Sequence, residues 1–147
     1  MGTLHRLLPL LAALAMITVS VPGWAEPPAH GEWELVPGFS DEFNSERLDR
    51  RKWRDYHPYY RGAPPGAYAI TNVTLGDGKL KLASNRQRGA ITTAIVQSLD
   101  RVEYGYLEVR AKAMHARLIS AFWLYRYTDA ATFEIDIVEM AGSSDGH

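Results

Sequence analysis

The 147-residue chain has the length of one domain, contains no cysteine and carries a formal net charge of −1. Without cysteine, disulfide bonds, thiolate metal sites and cysteine nucleophiles are excluded. A nearly neutral charge offers no electrostatic basis for binding nucleic acid or an anionic membrane surface. We therefore expect a fold held together by its core, with neither nucleic acid nor a membrane as partner.

Residues 1–25 are predicted to be a cleaved secretory signal. A short start with Arg6 and no acid precedes the uncharged run 7–21, and Gly23 and Ala25 then supply small residues where a signal peptidase reads. A membrane helix is the alternative, but a span needs about 20 apolar residues and this run is shorter. We therefore predict a secreted protein, extracellular or periplasmic, with a mature domain over residues 26–147.

From residue 33 onward the sequence indicates short strands separated by turns, with no long helical period. The clearest hairpin joins 71–75 to 79–82, because apolar and polar residues alternate in both arms and Gly76-Asp77-Gly78 can supply positive φ angles. The segment 118–125 is apolar and aromatic on both faces, which favours a central strand covered on both sides. Further strands are predicted at 89–99, 105–114 and 133–140. This spacing is typical of an antiparallel sandwich or barrel.

The most informative segment is EIDIVE, residues 134–139, which carries three acids. Successive side chains of a strand point to opposite faces, so Glu134 and Asp136 share one face. The opposite face is apolar enough to belong to the core and consists of Phe133, Ile135 and Ile137.

Glu139 joins the other two acids only if the strand accommodates one extra residue. Strict alternation would place Val138 beside them instead, and a β-bulge corrects this by re-aiming the following side chain. Four effective strand steps then separate Glu134 from Glu139 by about 13 Å. Side chains that lean inward can approach the roughly 5–5.5 Å between the carboxyl groups of retaining glycosidases.

Two other interpretations of these acids compete with a catalytic one. They could be hydrated groups on a solvent-facing strand, but acids are poor strand formers and three on one face repel each other. They could bind calcium, since carboxylates are ligands for hard cations, but regular strand spacing supplies only three side chains. We therefore favour a catalytic role that needs no cofactor, and a structural calcium ion elsewhere stays open.

The order of the segments around EIDIVE resembles glycoside hydrolase family 16. The segments are SDEFN (40–44), LDRRKW (48–53), NVTLGDGKLKL (72–82), YGYLEVRAKA (104–113) and SAFWLY (120–125). The resemblance implies an all-β jelly-roll, concanavalin-like sandwich of two curved antiparallel sheets, with a polysaccharide substrate in a groove on the concave face. It also implies endo-acting hydrolysis that retains anomeric configuration.

The resemblance further implies roles for individual residues. Glu134 corresponds to the nucleophile, Glu139 to the general acid that becomes the general base, and Asp136 to the acid that assists the nucleophile. Trp123 resembles the tryptophan that lines the groove, with a core tryptophan as the alternative. Trp33 and Trp53 are expected to pack or brace the fold.

The substrate branch is predicted from residues 55–70, which hold four tyrosines, three prolines and two glycines. The tract from Tyr56 to Tyr68 resembles the agarase, porphyranase and carrageenase branch, and with Trp123 it should form an aromatic groove wall. A Trp-Pro segment, usual before the acid strand of laminarinase-like members, is missing. We therefore favour a red-algal galactan over a β-1,3(4)-glucan. If the galactan is sulfated, Arg61 is a candidate contact, with a solvated loop arginine as the alternative.

Two further expectations concern what kind of protein this is and how much of the domain is present. A non-catalytic carbohydrate-binding jelly-roll module is the rival hypothesis, although a lectin has no reason to keep three acids in bulged register.

Sandwiches of this kind run to about 200–250 residues, whereas 122 residues follow residue 25. The sequence therefore predicts a monomeric family 16 catalytic domain over 26–147 that is truncated at its C-terminal end, with unpaired edges and an uncovered apolar face.

Overall fold

The computed structural model describes residues 27–114 and 117–140. Within these ranges the chain is all-β, with two 3-10 turns at Pro37–Phe39 and Ile70–Asn72. The strands are β1 (Trp53–Arg54), β2 (Gly66–Tyr68), β3 (Val73–Leu75), β4 (Leu80–Leu82), β5 (Asn85–Gln87), β6 (Ala90–Thr93), β7 (Gln97–Ser98), β8 (Ser120–Tyr127) and β9 (Thr132–Met140). No helix in the described ranges has the length and apolar character needed to cross a membrane. The predicted signal at 1–25 lies outside the described residues.

The predicted hairpin is confirmed as the antiparallel pair β3–β4, with Val73 opposite Leu82. Its turn is the two-residue link Asp77-Gly78, whose φ angles of 57° and 64° are both positive. Positive φ at both central residues is the backbone that matches the twist of the flanking strands, and Asp-Gly adopts it readily. The sequence therefore located this turn correctly. The observed link has two residues, one fewer than the predicted Gly-Asp-Gly link.

The predicted strand at 89–99 is two strands that belong to different sheets. β6 lies between β2 and β5, and β7 pairs with β1. The β2–β6 pair is parallel, whereas the other pairs of described strands are antiparallel. A parallel pair cannot close through a tight turn, so nothing in the local sequence announces it.

Asn72 joins the three-stranded sheet to the β3–β4 hairpin from a buried position. Its Nδ2 donates to Thr92 Oγ1 at 3.0 Å and to the Thr93 carbonyl at 3.2 Å, and its Oδ1 accepts from Asn85 Nδ2 at 2.7 Å. A buried amide is tolerated where its donors and acceptors find partners, as they do here. This network holds β6 in place, and β6 in turn holds β2.

Trp53 anchors the N-terminal segment to β1, as the sequence predicted. Its ring packs against Phe39 and Phe43 at centroid distances of 6.2 and 5.7 Å. Its Nε1 donates to Asp41 Oδ2 at 2.9 Å. Just after β1, the buried Asp55 accepts from Arg50 Nη2 at 2.6 Å. The chain therefore enters residues 56–61 from a firmly held strand.

The strand predicted at 105–114 does not form. Of the apolar residues that alternation places on one face, Leu107 is half-buried but Val109 and Ala111 are exposed, and no described strand pairs with this segment. A strand needs a neighbour to satisfy its backbone hydrogen bonds, and alternation alone does not supply one.

The expectation that the apolar side of β9 lies in the core is also wrong for the described residues. Phe133, Ile135 and Ile137 are 59%, 63% and 43% exposed, and Leu48 is the buried hydrophobic residue in the described ranges. β8 pairs only with β9 in these ranges, so it is not the central strand that the sequence predicted. Burial requires a second layer packed on the pair, and no described strand provides one.

Candidate active site

The register of the β8–β9 pair places all three acids opposite alternate residues of β8. Tyr125 faces Glu134, Trp123 faces Asp136, and Ala121 faces Glu139. The register shifts between Phe122, which pairs with Val138, and Trp123. Ile137 is therefore the extra residue, and the predicted β-bulge is confirmed.

This register puts the acids on one face. Residues 121, 123 and 125 alternate along an unbulged stretch of β8, so their side chains point the same way. Directly opposite residues of an antiparallel pair share a face, which brings Glu134, Asp136 and Glu139 to that side. The four strand steps from Tyr125 back to Ala121 set the two glutamates about 13 Å apart at their Cα atoms. All three acids are exposed, so solvent or a ligand reaches them.

The two ends of the acid row have different neighbours. The residue opposite Glu134 is the aromatic Tyr125, whereas the residue opposite Glu139 is Ala121, whose side chain is a methyl group. Trp123 lies between them opposite Asp136 and is half-buried. The register thus places Trp123 on the acid face, and its contact with substrate stays a prediction.

A continuous row of rings runs from the acid face to residues 56–68; we call it the aromatic wall. Neighbouring ring centroids lie 5.3, 5.7, 6.0 and 6.0 Å apart, and each pair meets edge to face. Edge-to-face contact at these distances is the favoured geometry of aromatic pairs. In order, the wall consists of Trp123, Tyr125, His57, Tyr60 and Tyr68.

Beyond His57 the wall borders a cavity of about 320 Å³, lined by residues 56–61 with Ala67 and Tyr68. This volume is at the lower end of the range for small-ligand sites. Burial, followed by the neighbouring Tyr60, raises the pKa of Tyr68, so this phenol stays a neutral donor. The exposed Arg61 brings a positive charge to the cavity.

The cavity depends on a tight backbone approach at Gly62. The Tyr68 amide donates to the Arg61 carbonyl at 2.7 Å, which closes the loop between them. Gly62 has a φ of 116°, and a Cβ there would lie 3.0 Å from the Cα of Ala67. Only glycine accepts both conditions without strain.

Sequence reasoning missed Tyr125 as a member of this site, and it included His57 only as part of the tract from Tyr56 to Tyr68. Tyr125 had a usable signal, since it lies two residues from Trp123 on the same strand and so shares its face. His57 had a weaker one, its place among four tyrosines. No group of three or more metal-binding side chains is gathered within the described ranges.

Comparisons with known proteins agree with the sequence resemblance. Residues 33–147 match the family described as the GH16 domain of β-porphyranases A–D. The chain is 35% identical over 114 residues to β-porphyranase D of Zobellia galactanivorans, covering 69% of this chain and 27% of that one. It is 31% identical over 129 residues to an extracellular agarase of Streptomyces coelicolor, covering 84% of this chain and 41% of the agarase.

The structure is also similar to a solved one. The crystal structure of a β-porphyranase from the human gut bacterium Bacteroides plebeius superposes with a TM-score of 0.70 at 26% identity, over 81% of this chain and 49% of that one. The chain therefore spans half or less of each of these three relatives. Because the family match extends over most of the chain, we conclude that it belongs to glycoside hydrolase family 16, in the porphyranase and agarase branch, with that family's jelly-roll β-sandwich fold.

Proposed function

We propose that this chain carries the catalytic acids of a secreted, endo-acting, retaining glycoside hydrolase that cleaves a red-algal galactan. The observation that supports this best is the register of β8 and β9. It gathers Glu134, Asp136 and Glu139 on one face, where the first two rings of the aromatic wall, Trp123 and Tyr125, lie opposite Asp136 and Glu134. A row of acids next to a row of rings suits a chain of sugars whose scissile bond lies over the acids.

The spacing of the acids allows retention of configuration. Each glutamate side chain extends through three C–C bonds of about 1.5 Å, so two that lean toward each other bring their carboxyl groups to roughly 5 Å from a 13 Å Cα separation. Retaining enzymes hold their carboxyl groups about 5–5.5 Å apart, whereas inverting enzymes need about 6.5–9.5 Å to admit a water molecule.

The proposed reaction has two steps at the anomeric carbon. The Glu134 carboxylate attacks it while the Glu139 carboxyl protonates the departing glycosidic oxygen, giving a glycosyl–enzyme ester. Glu139, now a carboxylate, then takes a proton from water as the water attacks the same anomeric carbon, and the bond from that carbon to Glu134 breaks to release the carboxylate. Asp136 lies next to Glu134 on the same face, the place of the acid that assists the nucleophile.

The aromatic wall and the cavity support a galactan as substrate. Ring faces and edges pack against the C–H groups of sugar rings and exclude water from them. Arg61 forms no ion pair with a carboxylate in the described part of the chain, which leaves its guanidinium able to bind a sulfate ester. We therefore place porphyran first among the substrates and agarose second.

The test is a hydrolysis assay in which the protein is given porphyran, agarose, carrageenan and laminarin in parallel. The reducing ends that are released from each polysaccharide are measured. We expect release from porphyran or agarose first, with the anomeric proton of the first product showing retention by NMR. Glu134→Gln should abolish release, and Glu46→Gln, which changes an exposed acid in the N-terminal segment, should not.

Other outcomes would contradict parts of the proposal. Hydrolysis of laminarin alone would move the protein to the glucanase branch. Binding of a galactan without hydrolysis, unchanged by Glu134→Gln, would favour the carbohydrate-binding module. An inverted first product would reject the two-step reaction.

A further inference from the structure

His57 holds the loop that carries the tyrosines. Its Nδ1 accepts hydrogen bonds from the backbone amides of Tyr59 at 3.2 Å and Tyr60 at 3.0 Å. One side-chain atom therefore satisfies two consecutive amides, as the oxygen of an Asx turn does for the residue two positions ahead. Without this acceptor, the amides of Tyr59 and Tyr60 would have to find other partners and the loop would change shape.

The same imidazole joins this loop to β8. Its ring meets Tyr60 at 6.0 Å and 90°, and Tyr125 at 5.7 Å and 68°. Tyr125 stands opposite Glu134, so His57 lies at the joint between the acid row and the cavity. A movement of this ring would break the aromatic wall into two pieces.

We propose that His57 is a positioning residue whose unprotonated Nδ1 assembles the aromatic wall, and that protonation of this nitrogen disassembles it. A neutral imidazole has one acceptor nitrogen, so acceptance at Nδ1 places the proton on Nε2. A second proton would turn Nδ1 into a donor facing two other donors, and both hydrogen bonds would be lost. The importance of the wall for sugar binding rests on the proposed function, whereas the hold of His57 on the loop does not.

The surroundings of the imidazole favour its neutral form at neutral pH. Burial, and then the positive charge of Arg54 on β1, lower the pKa of His57 below its ordinary value of 6.5. The other groups that face it are the phenols of Tyr59 and Tyr60 from its own loop and of Tyr125 from β8, and none of these rings carries a carboxylate that would favour the imidazolium. We therefore expect the loop to keep its two hydrogen bonds to His57 at pH 7 and to lose them when acidification protonates the imidazole.

The first test needs no carbohydrate. NMR spectra of the full-length chain, recorded from about pH 8 to about pH 4.5, report the imidazole nitrogens of His57 and the amides of Tyr59 and Tyr60. We expect the Nε2–H tautomer at the upper end, and both amides titrating together with His57 at an apparent pKa below 6.5. An Nδ1–H tautomer, or amides that ignore the titration of His57, would overturn the proposal.

The second test separates the acceptor from the ring. His57→Asn keeps an acceptor near the Nδ1 position but removes the ring, whereas His57→Phe keeps the ring contacts and removes the acceptor. We expect His57→Phe to raise KM for the galactan by about tenfold and His57→Asn by less, with kcat changing less than KM in both. In the wild type we expect KM to rise on acidification, as His57 becomes protonated. This rise should be absent in His57→Asn.

A larger rise in KM for His57→Asn than for His57→Phe would overturn the proposal, because the ring contacts would then matter more than the hydrogen bonds. Amide hydrogen exchange of Tyr59 and Tyr60 in each variant gives the same comparison without turnover. Protection that is retained in His57→Phe would also overturn it. If no galactan binds, the NMR and exchange results still test the hold of His57 on the loop.

Discussion

Deleting Ile137 should straighten β9 and leave all three acids on one face, whereas deleting Ile135 should remove one acid from that face. Without Ile137, Val138 takes the next alternate position and Glu139 stays opposite Ala121. Without Ile135, Glu134 turns to the apolar face if the bulge persists. If the bulge closes instead, Asp136 is the acid that points to the apolar face.

The structure supplies the magnitudes. Deletion of Ile137 leaves the two glutamates four strand steps apart, about 13 Å, as before. Deletion of Ile135 removes the action of one catalytic group, which contributes about 10²–10⁴-fold, or roughly 3–5 kcal/mol at 1.36 kcal/mol for each tenfold. The two isoleucines are 43% and 63% exposed, so each deletion gives up about 1 kcal/mol of burial or less.

The assay is reducing-end release from the preferred galactan, with circular dichroism and thermal unfolding to verify that both deletion variants fold. We expect the chain without Ile137 to retain activity within about tenfold of wild type, and the chain without Ile135 to lose at least about 10²-fold. Equal loss in two folded variants would refute the argument that face and spacing, and not the bulge itself, make the site. Full activity after deletion of Ile135 would refute the assignment of the acids.

Three other predictions concern the acids, the wall and the acid stability of the fold. Glu134→Gln should abolish turnover, whereas Glu139→Gln should retain the first step on substrates with good leaving groups, since these need less protonation; burst kinetics with an aryl glycoside measure this. Trp123→Ala should raise KM by about 2- to 13-fold, because an aromatic contact is worth about 0.5–1.5 kcal/mol, and a KM unchanged from wild type would place this ring outside the binding surface. Hydrogen bonding by Arg50 lowers the pKa of Asp55 in the folded protein. The ion pair therefore stabilises the fold fully at pH values above 3.8, the ordinary pKa of this group, and the stabilisation is lost as the pH falls through the lower folded pKa. Urea unfolding should show Asp55→Asn less stable by about 1–2 kcal/mol at neutral pH, with that difference disappearing in acid, and a difference that persists in acid would contradict the assignment.

Features that depend on neighbouring residues could be predicted from the sequence alone. The alternation of acids with isoleucines in β9, and the need for one extra residue before Glu139, follow from the period of two in any strand. The Asp77-Gly78 turn follows from backbone angles that few residues tolerate. The resemblance placed Trp123 in the groove, and the register puts it opposite Asp136, while its part in substrate binding stays a prediction.

Features that depend on partners far along the chain became visible only in the three-dimensional structure. The segment 105–114 alternates as a strand does but has no described neighbour, and the apolar side of β9 has no described layer upon it. The aromatic wall joins His57 to Tyr125, which are 68 positions apart in the sequence. Strand pairing, burial and ring contacts between distant residues depend on where the whole chain goes, so no local pattern could have predicted them.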